Sequence, residues 1–346
     1  VNLGINGFKY ADLYDYARLQ DLAGAFDRFV EQREPDLQKR FASYRIGVQS
    51  GIATGGLTTP EESALLIAVG RELGVFLAQL FGTEAGVGSL VNRAQRDAQV
   101  AKFKKEFVTK RVAKVQAVAT DPERIAQLDQ GAEELIRAIH GVSDGDPEYA
   151  LAVTALRLLE LERDYPRGVA LAPSAEARAA LTQIHEQLHH AVERVESPEG
   201  VAREATALYS LTDMLVEWAA ARWKQPAGKW RPNEWTSFRL PKPLVFDRLV
   251  PTVREDDIRV GGHPHHFRRR DSFHLTDPRF TPRQVADEAH YCIYCHERKK
   301  DSCWRGFQEK NGTFKVNPLG VPLEGCPLQE KIGEMNLLRS DGDSIG

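Results

Sequence analysis

Apolar residues recur at intervals of three and four from about Lys9 to Lys224, with strong helix formers between them, which is the pattern of successive amphipathic helices. Two stripes stand out: Leu181, Ile184, Leu188, Val192 and Val195, then Ala205, Leu208, Leu211, Leu215 and Trp218. Each predicts a helix that buries one side against its neighbours, so the chain reads as mainly all-α, with a multi-helix domain over residues 1–225. Helix starts are marked at Thr59-Pro60-Glu61-Glu62, Asp121-Pro122-Glu123 and Asp146-Pro147-Glu148, where an oxygen-bearing cap precedes a first-turn proline and acidic residues. Gly47 to Gly56 reads as a loop, and it lacks the Gly-Lys-Ser/Thr ending of a phosphate-binding loop. Gly86-Val87-Gly88 lacks the third glycine and the preceding strand of a dinucleotide fingerprint.

The pattern changes after Trp223. Pro226, Pro232, Pro241, Pro243 and Pro251 arrive among Trp230, Trp235, Phe238, Val245 and Phe246. Proline removes backbone donors and favours extended backbone, so residues 226–280 read as a proline-rich arm, irregular with short edge strands from Lys229 to Val260 and pinned by its aromatics. A helix is expected from Thr281 to Ala289, with Thr281 as cap and Pro282 at its first position. It opens a third region, residues 281–346.

Composition narrows the function classes. The 346 residues are 42% hydrophobic and 27% charged with a formal net charge of -3, which carries no electrostatic footprint for nucleic acid. No uninterrupted apolar run has the length of a membrane span, and the first residues lack a secretory pattern, so a cytoplasmic location is expected. The four cysteines all fall between Cys292 and Cys326, which points to local chemistry and away from a disulfide framework.

Cys292, Cys295, Cys303 and Cys326 form a C-x2-C-x7-C-x22-C pattern, and a two-residue gap lets two thiolates face one metal centre. Four readings compete for them: an iron-sulfur cluster, structural zinc, haem c, and four buried unligated thiols, the last an unusual coincidence in a chain with no other cysteine. An iron-sulfur cluster is favoured by Cys326-Pro327, which would head a helix from Pro327 to Leu338 whose free N-H groups face anionic sulfur, with Lys299, Lys300 and Arg305 offsetting the charge. Structural zinc suits four thiolates equally, but Cys303 and Cys326 form no second short knuckle. Haem c is spelled by Cys292-Ile293-Tyr294-Cys295-His296, with Met335 as a distal ligand, but it leaves two cysteines idle.

Gly325-Cys326-Pro327-Leu328, followed by Ile332, Glu334 and Asn336, resembles the cluster-binding N-terminal domain of the glutamate synthase small subunit and of dihydropyrimidine dehydrogenase-like flavin oxidoreductases. The resemblance covers Tyr291 to Ser344 and implies an α-helical ferredoxin-like module. In that case Cys292, Cys295 and Cys303 hold one 4Fe-4S cluster and Cys326 serves the same or a second one. It further implies electron transfer to a flavin-containing domain or subunit, with FAD and NAD(P)H outside this chain, and a redox partner protein.

Other motifs carry blander explanations. His185-Glu186-Gln187-Leu188-His189 spells the zincin signature, yet it sits in a charged amphipathic helix with no third ligand at the usual spacing. His263-Pro264-His265-His266 with Arg268, Arg269 and Arg270 could bind a metal, a phosphate or an acidic partner. The basic run of Lys102, Lys104, Lys105, Lys110, Arg111 and Lys114 carries Phe103 and Phe107 at helical spacing, which core packing explains. A helical scaffold with a structural zinc site is therefore the alternative to electron transfer, and an HExxH metalloprotease the lesser one.

Overall fold

A computed structural model describes residues 1–141, 145–166, 173–188, 201–249, 252–254, 256–257, 260–262, 272–273, 279–295, 300–328 and 330–343. In chain order the helices are α1 (Tyr16–Arg33), α2 (Pro35–Gln49), α3 (Thr59–Phe81), α4 (Glu84–Phe103), α5 (Pro122–His140), α6 (Pro147–Asp164), α7 (Ala175–Gln187), α8 (Val201–Lys224), α9 (Pro282–Ala289), α10 (Ser302–Arg305) and α11 (Ile332–Asp341). Strands β1 (Thr252–Arg254) and β2 (Val260–Gly262) pair antiparallel, with Val253 opposite Gly261. The protein is thus mainly all-α, as the hydrophobic pattern predicts.

The starts at Asp121 and Asp146 are where the caps place them, and α3 begins one residue earlier than expected, with Thr58 in place of Thr59 as its cap. Asp121 accepts from the Arg124 N-H at 2.9 Å, Asp146 from the Tyr149 N-H at 3.1 Å, and Thr58 with Glu61 forms a capping box at the head of α3. Thr281 caps α9 together with Gln284. The glycine-rich loop is shorter than its composition implies, because α2 runs through Gly47 to Gln49.

The chain divides into two units, one of Val1–Ala94 with Pro241–Gly346, the other of Gln95–Leu240. In the second unit α5, α6 and α8 pack on one another and α7 closes against α5 and α6. Their stripes meet in a core of fully buried Leu128, Leu135, Leu151, Leu158, Leu208, Leu211, Leu215 and Trp218. The Trp218 ring N-H donates to Asp129 at 2.9 Å, and Arg222 pairs with the same carboxylate, so the polar edge of this core is satisfied. Trp230, Trp235 and Phe238 of the arm complete it, with Trp230 edge-on to Trp218 at 5.0 Å. Lys104 to Val108 form a π-helical turn that brings Phe103 and Phe107 to stack at 5.5 Å inside the same core. The basic run around them is therefore part of a packed helix, with Lys110 on Glu106 at 2.6 Å and Arg111 on Glu162 at 3.0 Å.

The first unit is built differently. Phe26 and Phe29 of α1 meet Phe76 of α3 edge-on, both at 5.4 Å, and Arg33 pairs with Glu72 at 2.7 Å. By length and composition α3 is the one helix among the described residues that could cross a membrane, and here Leu65, Val69, Phe76 and Leu80 are buried in the unit. Alongside it lies α11, tied at both ends: Lys331 to Glu62 at 2.8 Å and Asp341 to Arg71 at 2.7 Å. Nine residues separate the anchors on α3 and ten those on α11, about 14 and 15 Å at the helical rise, so the two helices run parallel in register.

Candidate functional site

The cysteines lie in the first unit, around α9, α10 and α11. After α9 the backbone turns through bonds from the Tyr291 N-H to the Glu288 carbonyl and from the Cys292 N-H to the Ala289 carbonyl. Tyr294 then takes a left-handed conformation, φ 46°, and Asp301 another, φ 43°. The Ser302 N-H donates to Cys295 Sγ at 3.2 Å. Cys303 follows on α10. Its thiol is pushed above the ordinary range, first by burial and then by the charges of Cys295 and, less strongly, Cys292, Asp301 and Glu334.

Cys326 arrives by another route. Its N-H donates to the Cys303 carbonyl at 2.9 Å, and this approach depends on two glycines that face each other. At Gly325 (φ 90°) a Cβ would stand 2.3 Å from the Trp304 carbonyl oxygen, and at Gly306 (φ 75°) 2.3 Å from that of Leu323. No other residue fits either position without moving backbone. The four thiols are thus gathered in one neighbourhood, Cys303 exposed and the other three half-buried and unpaired.

Beneath them is a layer of buried charge that the sequence does not announce. Lys331 lies over the Trp304 ring at 3.6 Å and reaches Glu62 at 2.8 Å and Asp301 at 3.7 Å. Glu62 also accepts from Tyr44, whose hydroxyl is pushed up to about 12 by burial and by that carboxylate. Glu334 is 3% exposed, and neither of its carboxylate oxygens finds a hydrogen-bond partner among the described residues. Glu62 and Lys331 are 269 residues apart, so no local pattern could have joined them.

Several expectations are corrected by this geometry. Cys326-Pro327 does not head a helix, because α11 begins at Ile332 and Lys331 is its cap. The helix N-terminus that was to face cluster sulfur is accordingly elsewhere. Arg305 stacks on Trp304 at 4.5 Å, Lys300 is exposed, and Lys299 and His296 lie outside the described residues. Among the described residues no three His, Cys, Asp or Glu side chains converge into a set that could hold a metal ion. Met335, offered as a haem ligand, is 59% exposed on α11.

The remaining motifs are placed as follows. His185 is half-buried on α7, its pKa lowered by burial, and its Nε2 has no hydrogen-bond partner among the described residues. Glu186 is exposed, the helix ends at Gln187, Leu188 is extended, and His189 lies outside the described residues. The run from His263 to Arg270 lies outside them too. Two shallow clefts of about 310 and 290 Å³ flank Glu106 in the second unit, lined largely by charges that already pair, Arg111 with Glu162 and Lys110 with Glu106.

Comparison with known proteins points away from the ferredoxin-like resemblance. Residues 3–82, which contain α1 to α3, match the model of the RP005 N-terminal alpha-helical domain. An uncharacterized protein, RP005 of Rickettsia prowazekii (strain Madrid E), is 37% identical over 106 residues, 29% of this chain. The match spans 32% of that protein, so the chain covers about a third of its relative's length. No solved structure matches. With no ferredoxin-type match and no convergent ligand set among the described residues, the assignment as an iron-sulfur electron-transfer segment of a flavin oxidoreductase is overturned. What the chain is similar to is an α-helical domain, along the segment that builds the first unit's principal helices.

Proposed function

We propose that this chain is a helical scaffold that docks another protein chain through its first unit. One observation carries the reading: among the described residues, every large apolar side chain left exposed belongs to that unit. Tyr14 is 80% exposed and Tyr16 77%, beside Tyr10 and Leu19, while Ile46, Val48 and Ile52 are uncovered at the end of α2 and just beyond. All of these fall within the segment similar to the RP005 domain. Tyrosines with aliphatic neighbours are the composition of protein interfaces, and exposed apolar groups in such number mark a surface that is covered in use. A net charge of -3 and evenly mixed charges on α1 favour a protein over an anionic lipid surface.

The test is the behaviour of the full chain alone and after polar replacement. Uncovered apolar surface should bind a reporter dye of the anilinonaphthalene type or drive concentration-dependent association in sedimentation velocity. Combined Tyr14→Ser, Ile46→Ser and Val48→Ser changes should abolish either signal with helical content unchanged. A monodisperse chain that binds no dye, with or without those changes, would overturn the reading.

A further inference from the structure

The second unit carries positive charge that its packing does not use. Phe103 and Phe107 are wholly buried and account for the inward side of the basic run, which leaves Lys102 exposed in the last turn of α4. The π-helical turn of Lys104 to Val108 follows at once, and turns of this kind recur at functional sites. Opposite, Val153, Leu156, Glu160 and Arg163 repeat at three and four residues along one face of α6. The two clefts of about 310 and 290 Å³ share Glu106, Leu159 and Arg163 as lining, so they are two ends of one groove.

All three carboxylates that line this groove are already neutralised: Glu106 by Lys110 at 2.6 Å, Glu160 by Arg157 at 2.6 Å and Glu162 by Arg111 at 3.0 Å. Lys102 and Arg163 line the same end of it, and neither pairs with a carboxylate among the described residues. The Glu106 carboxyl is held below its ordinary range first by the hydrogen bond from Lys110 and, less strongly, by the charges of Lys105 and Arg163. Two surplus cations therefore stand beside an apolar strip of Val153, Leu156 and Leu159. That combination is complementary to a small molecule with a doubly negative head and an apolar body. A guanidinium grips a phosphate through two parallel N-H donors, and an ammonium adds a second positive charge.

We propose that the groove between α6 and the π-helical turn binds a small phosphate monoester with an aromatic body, its phosphate on Arg163 and Lys102 and its ring against Leu156 and Leu159. The groove volume is at the small end for ligand sites, which suits a single ring system and its phosphate. The site lies wholly in the second unit and does not depend on the docking surface of the first.

The probe is 1-naphthyl phosphate, titrated into the full chain by calorimetry, with 1-naphthol and inorganic phosphate as its separate halves. One saturable site with a Kd below about 1 mM is expected, weakening as salt is raised, and each half alone should bind more weakly. Lys102→Gln and Arg163→Gln, both at exposed positions, should each weaken the ester about tenfold with circular dichroism unchanged. Arg163→Lys should lose less, and Lys39→Gln on α2 should change nothing. Bound ester should also shield Lys102 from acetylation, read by peptide mass spectrometry on the unaltered chain, which locates the site even if a variant fails to fold. The proposal is overturned if no saturable binding occurs, if the ester binds the Lys102→Gln/Arg163→Gln pair undiminished, or if inorganic phosphate binds as tightly as the ester. It is equally overturned if a single-stranded oligonucleotide occupies these cations and the ester does not displace it.

Discussion

The two units solve the same problem unequally. Gln95–Leu240 gathers its apolar residues into one continuous core, with Trp218 wholly buried and no large apolar side chain left exposed among the described residues. Among the described residues, Val1–Ala94 with Pro241–Gly346 buries eleven apolar ones, Leu65, Phe76 and Leu80 among them, and leaves many more large ones in solvent. Buried apolar area is the chief favourable term in folding, so the second unit holds itself together by its core. The first unit adds directional ties: Arg33 to Glu72, Lys331 to Glu62, Arg71 to Asp341 and the close approach of Gly306 and Gly325.

The contrast can be broken most severely at Trp218. Replacing it by alanine should remove about 3–5 kcal/mol from the second unit, read as a lower denaturant midpoint by tryptophan fluorescence and circular dichroism. The counterpart in the first unit is electrostatic. Lys331→Met leaves Glu62 and Asp301 with less compensation in a buried layer and should lower stability by about 3 kcal/mol, with part of the loss recovered in the Lys331→Met/Glu62→Gln pair. If that double variant is no better than the single one, the ties of the first unit are not electrostatic.

Gly325→Ala tests the approach of Cys326. It should weaken the unit by about 1–3 kcal/mol, because the residue is left-handed and its new Cβ meets the Trp304 carbonyl; limited proteolysis should then cut faster near Cys326. Smaller still is the change at Ile46, where Ile46→Ser should stay within about 0.5 kcal/mol of the unaltered chain while reducing dye binding.

The mildest effect is one of pH. Burial lowers the pKa of His185, so the unfolded chain takes up a proton at higher pH than the folded one. Its contribution is therefore present above the unfolded value of about 6.5 and is lost as pH falls through the folded pKa. His185→Gln should flatten that part of the stability profile below neutrality, measured by denaturation at a series of pH values.

Much of the second unit was legible along the chain. Caps and first-turn prolines act over three or four residues, so Asp121 and Asp146 announce α5 and α6, as Thr281 does α9 in the first unit, without reference to anything distant. The stripe from Leu208 to Trp218 is buried as its period requires. The candidate site was legible only as a set of residues. A C-x2-C spacing and a Gly-Cys-Pro string are compatible with several chemistries, and the string misplaced a helix: from Cys303 to Gly325 the chain is held by backbone approach at Gly306 and Gly325, and α11 waits until Lys331 is anchored on Glu62.

The amino-acid sequence by itself determined the all-α class, the starts of α5, α6 and α9 and the inward face of α8, because these follow from local hydrogen bonding and from a period of 3.6 residues. It also confined the thiols to one short stretch. Only the tertiary structure decided which apolar groups stay uncovered and which carboxylates Lys331 meets. Those outcomes depend on contacts between segments as much as 269 residues apart, whose energies no local pattern contains.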